Sequence, residues 1–208
     1  MKKHFLCAIT IFITITFFTP EASPTQKTPA GHVRIMLDEV IAIQTSPDLQ
    51  GAEHLEKRRV AIKKVIAANI AFQAMSVYTL GNQWPQLTPS ERKEFSAIFK
   101  DLFIDSYARM VLNFIKQEKV VYDQEEKVKN QFLVKTQIIR TNDEIKVDYT
   151  LAPYNTGWLI SDIKVDGVSI AGNYRRAFSR VIKKKSFQVL LEKMRLQQKV
   201  IRQPPAKP

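Results

Sequence analysis

The residues able to do chemistry are few in this chain of 208 residues, and their spacing argues against most reactions. There are three histidines, His4, His32 and His54. His4 falls in an N-terminal leader, and the other two lie on different predicted helices. Zinc needs converging donors and a general base must reach its proton within hydrogen-bond distance, so neither histidine forms a local catalytic or metal-binding motif. The single cysteine, Cys7, also falls in the leader. Gly167-Val168-Ser169-Ile170-Ala171-Gly172 lacks the G-x-S-x-G spacing of a nucleophile elbow, and no histidine follows it. Asp162 and Asp166 frame a short strand segment on one face. They read better as a turn carboxylate and an ion-pair partner than as a general acid and base. No catalytic residue, metal or cofactor is assigned, although Asp105 or Asp162 would become a catalytic candidate if either faced a pocket.

What remains is apolar surface, and the elements that carry it follow a clear order. Lys2, Lys3 and His4 precede an apolar run from Phe5 to Phe18 and then Thr19-Pro20-Glu21-Ala22-Ser23. That is the layout of a signal peptide, residues 1–22, and the run falls short of the roughly 20 residues of a membrane span. The expected compartment is the periplasm, and the exported chain would have no cysteine to form disulfides. Residues 23–30, rich in Pro, Ser and Thr, read as a flexible leader. Residues 31–200 form a single domain large enough for one core, and 201–208 read as a disordered tail. The formal charge is +12, a field that suits an anionic lipid surface. No aromatic residues alternate with the basic runs as they would on a base-stacking platform, so no nucleic-acid partner is expected.

Helical spacing predicts amphipathic helices over 32–43 and 52–67, and a short helix over 70–80 apolar enough to be buried. Thr88-Pro89-Ser90-Glu91 is a capping box with proline at the first helical position. It opens a helix over 89–116 whose broad stripe carries Phe95, Ile98, Phe99, Leu102, Phe103 and Met110, with Tyr107 beside it. The period then changes to two. Val120–Tyr122 is a short strand candidate; Phe132, Val134, Thr136 and Ile138 alternate with less apolar neighbours, and so do Ile145, Val147, Tyr149 and Leu151. After a turn at Asn155-Thr156-Gly157, a strand over 158–165 ends at the hairpin pair Asp166-Gly167. Asn173 is expected to cap a helix through Lys184, and Ser186 a last one. The fold class is therefore α+β: an antiparallel meander of about four strands whose covered face must lie against the helical layer. An ordinary filled core and a ligand cavity both fit this apolar excess.

Several segments together resemble a known family. These are Met75-Ser76-Val77-Tyr78-Thr79-Leu80-Gly81-Asn82-Gln83-Trp84, Leu87-Thr88-Pro89-Ser90-Glu91-Arg92 with Phe95, Phe99 and Tyr107, then Val147-Asp148-Tyr149, Gly157 to Ile170, and Asn173-Tyr174-Arg175 with Phe178. In this order, over roughly residues 32–195, they are similar to the MlaC or toluene-tolerance family of periplasmic phospholipid-binding proteins. The resemblance implies helices packed on a curved, twisted sheet, with some likeness to the nuclear transport factor 2-like cone. Acyl tails would lie between the two layers. It implies bound glycerophospholipid as cargo and a non-enzymatic, monomeric shuttle. The partners implied are an outer-membrane lipoprotein–porin complex and an inner-membrane ABC-type lipid transport complex, and the role is maintenance of outer-membrane lipid asymmetry. Pocket candidates on this basis are Phe72, Met75, Phe95, Phe99, Leu102, Phe103, Tyr107, Met110, Phe132, Val134, Val147, Tyr149 and Trp158. Asp162, Asp166, Asn173, Tyr174 and Arg175 are read as support for the sheet–helix junction. A carrier of another lipid, such as a hopanoid, and a protein-binding module of the cell envelope are the alternatives.

Overall fold

The computed structural model describes residues 28–114 and 118–202. The signal peptide, most of the leader, residues 115–116 of the long helix and the last six residues of the tail lie outside the described residues. Thr28 accepts a hydrogen bond from the Gly31 amide and caps α1, Pro29–Thr45, which therefore begins within the predicted leader. A 3₁₀ turn at Ala52–His54 leads into α2, Leu55–Asn69. The expected helix over 70–80 starts later, as α3, Phe72–Leu80. Ile70 instead bridges to Ile160, and the Ala71 amide donates to the Ile160 carbonyl at 2.8 Å, so these two residues stitch the helical layer to the sheet. Gly81 ends α3 at φ +51, a conformation that favours glycine. A side chain there would also meet the Arg175 guanidinium at 3.1 Å.

The capping box forms as its chemistry requires. The Glu91 amide donates to Thr88 Oγ1 at 3.2 Å, and the Thr88 amide donates to Glu91 Oε2 at 2.9 Å. These bonds hold the Glu91 carboxyl below its ordinary pKa. They start α4, Pro89–Phe114, whose 26 residues run about 39 Å. Thr88→Ala is expected to lower the unfolding free energy by about 1 kcal/mol in urea titration. An unchanged midpoint would show that packing alone sets this helix start.

The sheet is a five-stranded antiparallel meander in the order β1-β2-β3-β4-β5, one strand more than expected. β1, Lys119–Val128, is ten residues long rather than three. Its outer residues are exposed and charged, which hides a strand from any pattern that looks for a covered face. β2 is Gln131–Ile139, β3 Glu144–Tyr154, β4 Gly157–Val165 and β5 the pair Val168–Ser169. Two residues are too few to show alternation, so β5 left no signal in the sequence. Register irregularities between Tyr122 and Glu125, and between Thr150 and Leu151, bend the sheet. Thr136 pairs with Val147 and Val147 with Val165. Val134, Thr136, Ile138, Val147, Tyr149 and Leu151 are buried on the face toward the helices.

α5 spans Ile170–Lys184, and its cap is Ser169 rather than Asn173. The Gly172 amide donates to Ser169 Oγ at 2.8 Å, and the Ser169 hydroxyl donates to Asp162 Oδ2 at 2.6 Å. Asp162 Oδ1 also accepts from the amides of Ile163 and Ala171, so one carboxylate ties the end of the sheet to the start of α5. α6, Phe187–Arg202, begins where Ser186 Oγ accepts from the Val189 amide.

Candidate functional site

A cavity of about 320 Å³ lies between the helical layer and the covered face of the sheet. Met36, Leu37 and Val40 of α1 and Val65 and Ile66 of α2 form its helical wall, together with Phe103, Tyr107, Met110 and Val111 of α4. Ile138 of β2, Ile145, Val147 and Tyr149 of β3, and Ile163 and Val165 of β4 form the floor. Helices contribute to it because their apolar stripes must face the sheet, and strands because every second side chain does. Met110 is 38% exposed, so the mouth lies between the C-terminal half of α4 and the turn joining β2 to β3. Arg140 on that turn is the only charged lining residue among the described residues.

Both lining tyrosines are held neutral: burial raises the pKa of Tyr107 and of Tyr149 well above the ordinary phenol value. The two acids left open as catalytic candidates do not line the cavity. Asp105 is 1% exposed, but its carboxylate is taken by Lys63 at 2.7 Å and Arg109 at 2.8 Å, an ion cluster joining α2 to α4. Asp162 is occupied at the start of α5. Among the described residues no group of three or more His, Cys, Asp or Glu could hold a metal ion. The cavity can bury apolar chains. Among the described residues its lining holds no carboxylate or histidine.

Of the thirteen pocket candidates, Phe103, Tyr107, Met110, Val147 and Tyr149 line this cavity. The other eight do not. Phe95 and Phe99 stack at 5.8 Å and meet Phe178 edge-on at 5.7 and 5.9 Å, so the N-terminal half of α4 faces α5 and α6 in a filled aromatic core. Phe72 packs edge-on against Phe103 at 5.5 Å, and Met75, Leu102 and Val134 are buried in the same core. Phe132 and Trp158 form an edge-on pair at 5.1 Å at the opposite end of the sheet from the cavity. The α1, α2 and β4 walls were not among the candidates.

The junction residues each have a defined partner. Asp166 Oδ1 accepts from the Lys146 amide, Asn173 accepts from Arg176, and Tyr174 packs edge-on against Phe99 at 5.1 Å. The Arg175 guanidinium lies 4.9 Å from the ring centre of Tyr78, joining α5 to α3.

One titration follows from this packing. His32 on α1 is half-buried against Asn69, and burial lowers its pKa despite the hydrogen bond to Asn69, which raises it. A depressed imidazole leaves the unfolded chain binding protons first as the pH falls. Its stabilisation is therefore complete above about pH 6.5 and is lost progressively as the pH falls through the lower folded value. The thermal midpoint should drop with acidification below that point, less steeply in His32→Gln. Parallel curves would place the dependence elsewhere.

The profile of the MlaC protein family matches residues 34–196. The chain belongs to the MlaC family. A search of the curated proteins finds no match. Among solved structures, the phospholipid-binding protein from Ralstonia solanacearum, in complex with a phospholipid, is similar in fold at 23% sequence identity. Its TM-score is 0.70, over 82% of this chain and 97% of that one. This MlaC-family chain thus has the α+β architecture expected of it. No helix among the described residues is long and apolar enough to cross a membrane.

Proposed function

We propose that the protein is a periplasmic carrier of glycerophospholipid that shuttles lipid between an outer-membrane lipoprotein–porin complex and an inner-membrane ABC-type transport complex, helping to maintain outer-membrane lipid asymmetry. The observation that carries the proposal is the apolar cavity between helices and sheet. Two acyl tails bring about 30 methylenes at about 0.8 kcal/mol each, on the order of 24 kcal/mol to be replaced when a lipid leaves a bilayer. Only an apolar enclosure can supply that burial. Membership of the MlaC family and the phospholipid held by the Ralstonia solanacearum protein support the reading.

The tails of a diacyl lipid fill roughly 800 Å³, within the ~300–1,000 Å³ usual for ligand cavities and more than the 320 Å³ enclosed here. Loading is accommodated in this reading by the helical wall moving from the sheet. α1 is one such wall, and its polar contacts reach both the sheet and α4. The Ala30 amide donates to Glu125 on β1, Arg34 lies over the Tyr122 ring at 3.9 Å, and Gln44 donates to the Val111 carbonyl on α4. Release follows when docking on a partner favours the widened state.

A transfer assay tests the carrier reading. Donor and acceptor vesicles kept apart by a dialysis membrane should exchange labelled phospholipid only when the protein is present. No transfer above the protein-free control would refute it.

A further inference from the structure

We propose that the outer face of α5 is a docking surface for an anionic phospholipid bilayer, separate from the cavity between helices and sheet. Of α5 only its first residue, Ile170, lines that cavity. The inference goes beyond the carrier reading and does not rest on it, since a contact of this kind needs no lipid in the cavity.

From Ile170 to Phe187 the chain carries Arg175, Arg176, Arg180, Lys183, Lys184 and Lys185 and no Asp or Glu. All six are exposed. Tyr174, Phe178, Val181 and Ile182 hold α5 against the core. At about 100° per residue, Arg176, Arg180, Lys183 and Lys184 then fall on the opposite side. Lys183 and Lys184 stand in the last turn, where they also complement the helix dipole. The dipole does not account for Arg175, Arg176 and Arg180, which stand earlier in the helix.

The neighbouring elements leave this charge in place. Among the described residues none of the six pairs with a carboxylate. α3 packs against α5, and neither it nor the 3₁₀ turn that follows, Gly81–Gln86, contains an acid. Asp162 of β4 is taken up by Ser169 and the Ala171 amide at the start of α5. On α6 the paired cations are Arg195 and Arg202, which reach Glu94 and Asp101 of α4, and Glu192 is that helix's one acid.

Two features beside the basic face suit a bilayer. Val77 and Tyr78 of α3 are 40% and 46% exposed, and Arg175 lies against the Tyr78 ring and beside Gly81. An exposed aliphatic and aromatic pair next to cations matches the boundary between headgroups and acyl chains. Between α3 and α5 a polar hollow of about 360 Å³ is lined by Arg175, Lys183, Ser179, Asn82, Gln83 and Gln86. Cations and neutral donors together suit a headgroup phosphate. Protein interfaces are depleted of lysine at their centres, whereas here cations fill the centre and the apolar pair stands at the edge.

Sedimentation with vesicles tests the inference. Protein isolated from a host that exports it is mixed with vesicles of phosphatidylcholine alone, or of phosphatidylcholine with phosphatidylglycerol. It should sediment with the second and not the first, and about 1 M NaCl, where the Debye length is about 3 Å, should release it. Each basic residue close to an anionic surface strengthens binding about fivefold. Arg176→Gln, Arg180→Gln and Lys184→Gln together should therefore weaken binding about a hundredfold, with the thermal midpoint unchanged. Lys57→Gln, Lys64→Gln and Lys119→Gln remove the same charge from exposed sites on α2 and β1 and should weaken it less than about fivefold. Equal loss in the two triple variants would assign binding to net charge and overturn the inference, as would sedimentation of the α5 variant at the unaltered level. No preference for phosphatidylglycerol vesicles would also overturn it and leave the face to an acidic protein. Val147→Trp, which crowds the cavity, should sediment as the unaltered protein does. Its failure to sediment would place the anchor in the cavity and overturn the inference.

Discussion

Val147→Trp is expected to reduce bound phospholipid by about tenfold or more, an affinity loss above about 1.4 kcal/mol, in a protein that still folds. Val147 sits at the centre of β3, buried, between Thr136 and Val165 on its neighbouring strands. Its side chain is part of the cavity floor, opposite Phe103 and Tyr107 of α4. Enlarging a residue in a filled core costs about 1–3 kcal/mol because neighbours must shift. Here the indole grows into space, so the penalty should fall at or below the low end of that range. The space it fills is the space acyl chains need. The measurement is lipid per protein by mass spectrometry, with thermal unfolding run beside it. A variant with unchanged loading would remove the floor of the cavity from the binding site. A charged residue at Val147 or Phe103 should also abolish retention, although a buried charge disturbs folding as well.

Phe99→Ala is expected to do the opposite. It should cost about 3–5 kcal/mol of stability, a thermal midpoint lower by about 10 °C for a domain of this size, and it should leave the cavity walls in place. Phe99 is 1% exposed. Its ring stacks on Phe95 at 5.8 Å and meets Phe103, Tyr174 and Phe178 edge-on at 6.0, 5.1 and 5.9 Å. It does not line the cavity between helices and sheet, and the void left by its removal would be bounded by rigid rings. At temperatures well below its lowered midpoint the variant should still retain lipid. A loss of lipid with no loss of stability would show that the cavity extends into this cluster when loaded.

These two residues also show where the sequence was informative. Phe99 and Phe103 share one stripe of α4, are one turn apart, and look alike in any pattern. A helix of about 39 Å is longer than one environment, however, and this one passes from the filled core beside α5 and α6 to the cavity wall. Periodicity reports which side of a helix is covered. It does not report whether the covering is atoms or space, so Met75, Phe95 and Phe99 could not be told from Phe103, Tyr107 and Met110. The α1 and α2 walls were missed for the same reason: Met36, Leu37, Val40 and Val65 read simply as buried faces. Arg140 carried no signal, because an arginine between a strand and a turn is ordinary until the fold places it on a cavity.

Features with short-range causes were legible. The Thr88–Glu91 box, the Ser186 cap, the alternation through β2 and β3 and the hairpin at Asp166-Gly167 depend on residues within a few positions of one another. The cap of α5 was misplaced because Ser169 is held by Asp162, seven positions earlier across a hairpin, a contact that exists only once β4 and β5 pair. β1 was read too short because its charged outer half has no covered face.

The carrier account stands or falls most directly on what the protein holds when purified. Protein isolated without detergent from a host that exports it should release about one phospholipid per chain on organic extraction and mass spectrometry. A clean blank, repeated after incubation with phospholipid vesicles, would contradict the account and leave the cavity as unfilled space between helices and sheet.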